Sequence, residues 1–130
     1  MRRLLAVTVA AVLLAGLTPA AFAQGPQSLT YGERYLSTIT SAAPSGDHGN
    51  RFELWTFDGE GRTCVELRME TPAFEPYLYL AQGTPSGPAI AEGPGRLRLH
   101  LPSSGRYFVK ATASGGPDSL GPYVISLARC

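Results

Sequence analysis

Four consecutive residues, Ser45, Gly46, Asp47 and His48, contain the three residue types of a hydrolytic relay. Such a relay hands a proton from hydroxyl to imidazole while a carboxylate steadies the ring, so its members must converge from separate elements. Neighbours on one loop point in different directions, and no Gly-x-Ser-x-Gly elbow occurs elsewhere. The stretch reads as a solvated loop. Glu70 and Glu75 are the residue types that flank a scissile glycosidic bond, but Thr71-Pro72 between them puts both on a connection. Asp47, Asn50, Asp58 and Glu60 could offer oxygen atoms to Ca²⁺, yet their spacing matches no calcium loop, and Asp58-Gly59-Glu60-Gly61 is good turn chemistry in itself. His48 and His100 have no partner at metal-ligand spacing. Gly93-Pro94-Gly95 is a turn without the following helix that a phosphate loop needs. These observations point away from catalysis, a metal site and a cofactor.

The aromatic residues are more informative, and they depend on the elements that carry them. The apolar runs are short, bounded by Gly, Pro, Ser or Asp, and alternate with a period of two, which is the pattern of strands. Strong strands are expected at Arg51 to Phe57, Arg62 to Met69, Pro76 to Ala81, Arg96 to Leu101, Arg106 to Ala113 and Tyr123 to Arg129. Weaker ones are expected at Ser28 to Tyr31, Tyr35 to Thr40 and Ala89 to Ala91. The turn at 58–61 predicts a hairpin between the Arg51 and Arg62 strands. Loops 41–50, 82–88 and 114–120 are rich in Gly, Pro and Ser, as the corners of a sandwich should be. The expected architecture is all-β, an antiparallel jelly-roll-like sandwich of about eight strands.

On that framework Leu78 and Leu80 face the core and Tyr77 and Tyr79 face away; Tyr107 and Val109 inward leave Phe108 and Lys110 outward. Trp55 shares a face with Glu53 and Phe57, but its strand is apolar on both sides, so alternation does not orient it. Exposed aromatics supply large contact area at little entropic cost. Trp55, Tyr77, Tyr79 and Phe108 are therefore the candidate ligand-binding residues, with packing under the loops as the alternative.

The first 23 residues read as an address. Arg2 and Arg3 precede an apolar run from Leu4 to Leu17, Pro19 breaks it, and Ala21-Phe22-Ala23 places cleavage between Ala23 and Gln24. The expected products are a signal peptide, 1–23, and one exported domain, 24–130, secreted or periplasmic and without a membrane span. With a net charge of +1 over 130 residues, the chain has no basic field for nucleic acid. Cys64 and Cys130 are the only thiols. Their even number in an oxidising compartment points to a disulfide, against two free thiols or an intermolecular bond.

Several segments resemble a known family. Phe74-Glu75-Pro76-Tyr77-Leu78-Tyr79-Leu80 followed by Gly83, Leu101-Pro102-Ser103-Ser104-Gly105-Arg106-Tyr107-Phe108-Val109, and Gly121-Pro122-Tyr123-Val124-Ile125-Ser126-Leu127 are similar, in this order, to signatures of bacterial pre-peptidase C-terminal domains. Ser28 to Tyr35 fits that family's opening. The resemblance implies a jelly-roll-like sandwich of this length, usually joined to secreted proteases and other exported enzymes, with some members binding collagen or polysaccharide. Glu75 replaces the family's aspartate, and Ala89-Ile90-Ala91-Glu92-Gly93 lacks its aspartate pair, so no calcium role carries over. The combined reading is an exported, non-catalytic, monomeric module that binds an extracytoplasmic protein or polysaccharide. The alternative is an accessory factor for secretion, maturation or inhibition of a secreted protease in trans.

Overall fold

The computed structural model describes residues 25–46 and 49–130. The expected signal segment, its expected Ala23/Gln24 junction, Asp47 and His48 therefore lie outside the described residues. Among those described, nine strands form two sheets and no helix is long and apolar enough to cross a membrane. The strands are β1 (Gln27–Ser28), β2 (Arg34–Ile39), β3 (Phe52–Gly59), β4 (Cys64–Glu70), β5 (Pro76–Gln82), β6 (Ala89–Gly93), β7 (Arg96–His100), β8 (Gly105–Ala113) and β9 (Gly121–Arg129). One sheet runs β1-β3-β8-β5-β6 and the other β2-β9-β4-β7. The all-β sandwich of about eight strands read from the alternation is what the chain forms, with nine strands among the described residues.

β4 and β9 bury every second residue, most of β5 and β8 does the same, and the two inner faces meet in one core. Trp55, Phe57, Leu78, Leu80, Tyr107 and Val109 come from the five-stranded sheet; Ile39, Val65, Leu67, Met69, Tyr123, Ile125 and Leu127 come from the four-stranded sheet. Leu97 of β7 points inward, whereas Arg96, Arg98 and His100 stay exposed, as the alternation predicts.

Two expectations about connectivity are corrected. β3 and β4 are not a hairpin: β3 pairs with β1 and β8, while β4 pairs with β7 and β9. The turn after β3 carries the chain from one sheet to the other. Both strands have a strongly apolar face, and both faces are buried in the one core between the sheets. Gly59 lies at this crossing, where an added Cβ would fall 2.4 Å from Leu101 Cδ1 and 2.9 Å from the Tyr107 ring. The segment Ser28 to Tyr31 is likewise not one strand. Leu29 N–H donates to Thr56 O in one sheet, whereas Gly32 N–H donates to Leu127 O in the other, so this segment bridges the two. Its first pair, β1 with β3, is parallel within an otherwise antiparallel sheet.

A polar tie also joins the sheets. Ser37 stands opposite Tyr123 on β2 and β9, and both hydroxyls donate to Glu53 Oε1 at 2.5 Å. The Trp55 indole N–H donates to the Tyr123 hydroxyl at 2.9 Å. A carboxylate on an inward position is tolerated because it receives two hydrogen bonds. Burial pushes the Tyr123 phenol up, and its bond to the Glu53 carboxylate adds to that rise.

Cys64 and Cys130 form an intramolecular disulfide with Cα atoms 5.3 Å apart. Val65 opposes Arg129 in the β4–β9 ladder, so the bridge closes the end of that ladder, where Cys130 N–H donates to Cys64 O. The bond holds Cys130, which follows β9, to β4.

Replacing both cysteines by alanine opens a loop with a sequence separation of 66 residues. The expected loss is up to about 4 kcal/mol, since the bridge restricts the unfolded chain; denaturant titration of the two proteins measures it. Tyr123→Phe strips the partner from a buried indole N–H and one donor from Glu53, and should cost about 1–3 kcal/mol in the same titration. A change well under that range would mean that water replaces the hydroxyl.

Candidate functional site

The outward side chains of the five-stranded sheet form a grid fixed by strand register. Lys110 on β8 stands opposite Leu54 on β3 and Tyr79 on β5, and Tyr79 stands opposite Glu92 on β6. One pleat along, Phe108 stands between Thr56 and Ala81; on the other side, Thr112 stands between Phe52 and Tyr77. The floor is therefore aromatic with one cation and one anion. Loop 83–88 and the residues before β3 rise on either side of it and close a cleft of about 380 Å³, which includes Phe52, Tyr79, Phe108, Lys110, Glu92 and Pro88 among its lining. A second cleft of about 360 Å³ lies against Tyr77, Tyr79 and loop 114–117. Tyr79 and Asn50 line both.

The groups around this floor are held in place. The Tyr77 and Tyr79 rings, two residues apart on the same side of β5, lie 5.0 Å apart at a tilt of 56°. The Lys110 ammonium sits 5.0 Å above the Phe52 ring centroid, within reach of a cation–π attraction. Asn50 donates through Nδ2 to Ala113 O at 2.5 Å, which anchors the loop before β3 to the end of β8. Thr112 is buried and its hydroxyl donates to Arg51 O at 2.6 Å. The Tyr77 hydroxyl donates to Glu92 Oε1 at 3.1 Å. That bond raises the phenol above its ordinary value, with desolvation and the Glu92 charge acting in the same direction.

Of the four aromatics singled out in the sequence, Tyr77, Tyr79 and Phe108 are brought together here. Trp55 is not: it is 2% exposed and belongs to the inner face, with its ring 5.5 Å from that of Tyr35. The reason is the partner of Glu53. Trp55 and Glu53 share a face, and Tyr123 and Ser37 supply the hydrogen bonds that let this face point inward. Phe52 and Glu92 were not singled out from sequence as site residues, and Asn50 was considered only as an oxygen donor to Ca²⁺, since only the loops and the β5–β6 register place them beside Tyr79. The outward direction of Lys110 was legible from its place between Val109 and Ala111.

The remaining candidates are dispersed. Asp58 pairs with Arg106 at 2.8 Å and Glu60 with Arg129 at 3.6 Å, while Asn50 lies in the cleft. Glu70 ends β4 and lies 3.7 Å from Arg34, whereas Glu75 precedes β5 in the other sheet. His100 is exposed on β7, opposite Cys64. Among the described residues no group of three His, Cys, Asp or Glu side chains is placed to hold a metal ion.

At the level of sequence, neither a family model nor a curated protein matches the chain. Solved structures do match its fold. The pre-peptidase C-terminal domain of a collagenase from Bacillus anthracis superposes with a TM-score of 0.60 at 12% identity, over 79% of this chain and 94% of that one. PliG from Aeromonas hydrophila, a periplasmic inhibitor of g-type lysozyme, superposes at 0.57 and 13% identity, over 82% of this chain and 100% of that one. PliG from Salmonella Typhimurium does so at 0.56 and 16% identity, with the same coverage. The chain thus has the fold of a pre-peptidase C-terminal domain, as its motifs imply, and shares it with these lysozyme inhibitors.

Glu92→Gln removes the anion that accepts the hydrogen bond of the Tyr77 hydroxyl. The Tyr77 ionisation should then move down toward the ordinary phenol value, because the raised value reflects an O–H held by a carboxylate. Titrating tyrosinate absorbance in both proteins measures the shift; coincident curves would show that the Tyr77–Glu92 bond is not kept in solution.

Proposed function

We propose that the chain is exported, loses residues 1–23, and acts as a non-catalytic binding module, residues 24–130, that engages an extracytoplasmic partner through the outer face of its five-stranded sheet. The observation that carries this reading is the convergence of Tyr77, Tyr79 and Phe108 on one face, walled by loops into two adjoining clefts. Aromatic residues left on a surface rather than packed inward mark contact sites when they are contiguous, and these share one sheet face. Clefts of 380 and 360 Å³ fall in the size range of ligand sites. The chemistry available there is recognition: rings, one ammonium, one carboxylate and an amide, with no nucleophile paired to a base among the described lining residues.

The neighbours in fold give this reading its setting. Two of them are periplasmic inhibitors whose whole length this chain matches. They favour a second reading, in which the module acts in trans on an exported hydrolase as an inhibitor or maturation factor. Fold alone does not choose between a protein and a polysaccharide partner.

The first test compares the exported protein with a Tyr77→Ala, Tyr79→Ala variant for retention by the producing cell's envelope and by proteins of its culture fluid. We expect the variant to bind at least about tenfold more weakly, a difference of about 1.4 kcal/mol, while its melting temperature falls by only a few degrees. Undiminished retention would sink the outer-face reading. Collapse of the fold would show that these rings are structural.

A further inference from the structure

The two sheets end in β1 and β6 on one layer and in β2 and β7 on the other. An unpaired edge is a template for a further strand, so proteins blunt it by short length, proline, charge or a bulge. β1 is two residues long and follows Pro26. β6 follows Pro88, and its register shift against Leu80/Ala81 leaves Ile90 as an extra residue. β7 exposes Arg96, Arg98 and His100. β2 is different. Its six residues keep unbroken register with β9, contain no proline, and carry Leu36, 78% exposed, near the centre.

The ladders show which backbone groups of β2 are free. Gly32 N–H donates to Leu127 O, and Cys130 N–H donates to Cys64 O. Successive residues of a strand turn their N–H and C=O groups to opposite neighbours. Odd-numbered residues of β9 therefore face β2, and even-numbered ones face β4. Tyr35, Ser37 and Ile39, opposite Ile125, Tyr123 and Gly121, are thus hydrogen-bonded to β9. Arg34, Leu36 and Thr38 turn their backbone groups to the open edge. All three are exposed, and among the described residues β2 has no strand beside it other than β9.

This edge is complementary to itself. In an antiparallel pair about a twofold axis through Leu36, Leu36 meets Leu36 and Arg34 meets Thr38 of the second copy, so each can exchange both backbone hydrogen bonds. An axis at Tyr35, Ser37 or Thr38 sets at least one of them against a residue outside β2. An axis at Arg34 sets two guanidinium groups opposite each other, which is unfavourable. With the axis at Leu36 the two Arg34 positions lie about 14 Å apart along the strands. Val124 stands opposite Leu36 on β9, so an apolar row of Val124, Leu36, Leu36 and Val124 crosses the junction. The exposed leucine is covered by its own image and no like charges are opposed, which selects a second copy over a strand of another protein.

We propose that the exported chain forms a twofold dimer in which β2 pairs antiparallel with β2 of a second copy, Leu36 opposite Leu36, joining the two four-stranded sheets into one. The sequence led to an expectation of one copy, since alternation does not tell an edge strand from a central one. Inward residues pair with inward residues across the axis, so both five-stranded layers lie on the same side of the joined sheet. Two faces carrying Tyr77, Tyr79 and Phe108 are thereby turned the same way, toward a partner with repeated binding groups. The pairing itself does not depend on what that face binds.

Sedimentation velocity of the exported protein from micromolar to millimolar concentration tests it, and a reversible dimer is expected. Leu36→Arg places two guanidinium groups across the axis and should weaken the dimer at least about tenfold. Its melting temperature at low concentration should match the parent's, because the side chain is exposed. Leu36→Cys treated with a short bismaleimide should give a covalent dimer. Thr38→Cys, whose two copies lie about 14 Å apart along the strands, should give far less. Cys64 and Cys130 are bonded to each other and do not compete. A chain that stays monomeric at millimolar concentration overturns the proposal. A dimer indifferent to Leu36→Arg, or cross-linked equally at both positions, overturns the pairing through β2, and assemblies that grow beyond two overturn the twofold closure. If the chain is monomeric and Leu36→Arg loses the envelope partner, the edge takes another protein's strand and the second copy is wrong. Retention by the Tyr77, Tyr79 double variant reads the outer face separately.

Discussion

The pleat of β8 is the constraint on which the candidate site depends. This strand is hydrogen-bonded to β3 on one side and β5 on the other, and Tyr107, Val109, Ala111 and Ala113 along it are buried. Tyr107 fixes its phase: the ring stacks on Phe57 at 5.4 Å, and its hydroxyl donates to Ser103 O at 2.5 Å, four residues upstream. That back-bond resembles the tyrosine corner of other sandwiches. A slip of one residue would put Tyr107 in water and Lys110 in the core, so the inward anchors hold Phe108 and Lys110 outward. Register then carries this choice sideways, to Phe52 and Leu54 on β3 and to Tyr77 and Tyr79 on β5.

Carboxylates are handled in two ways by the same sheet. Glu53 faces inward and is bound by Ser37 and Tyr123, whose hydroxyls belong to the opposite sheet. Its charge is used to join layers. Glu92 faces outward, accepts a hydrogen bond from the Tyr77 hydroxyl, and remains beside an open cleft. On the other outer face Glu66 is held between Arg68 and Arg96, at 2.5 and 3.1 Å, and the Arg68 hydrogen bond first, then Arg96, draws its carboxyl below the usual range. That face spends much of its charge internally. The aromatic face keeps a cation, Lys110, and an anion, Glu92, beside its larger cleft.

The neighbours in fold carry different tasks, a domain of a collagenase in one case and inhibitors of lysozyme in two others. A sandwich supplies stable outer faces and loops at its ends; what it binds follows from the side chains set there. In this chain Asn50, Pro85 and Pro88 come from such loops and turn a flat aromatic face into clefts. The turns that flank the sheet therefore shape this face as much as the rings on its strands.

Much of this was legible in the residues themselves. Alternation with a period of two is a local property, and it gave the strands, the inward leucines of β5 and β7, and the outward Tyr77, Tyr79 and Phe108. Motifs along the chain pointed to the same sandwich, and an even pair of cysteines to the bridge. Alternation has no information about partners. It could not say that β3 and β4 belong to different sheets, because an apolar face is satisfied equally by a neighbour in the same sheet's core and by one across it. Nor could it turn Trp55: its strand is apolar on both sides, and the deciding contacts come from Ser37 and Tyr123, sixteen and seventy residues from Glu53. Residue type and spacing determined which faces exist; long-range pairing and the hydrogen bonds of one inward carboxylate decided which faces are buried together and which aromatic rings remain on the outer face.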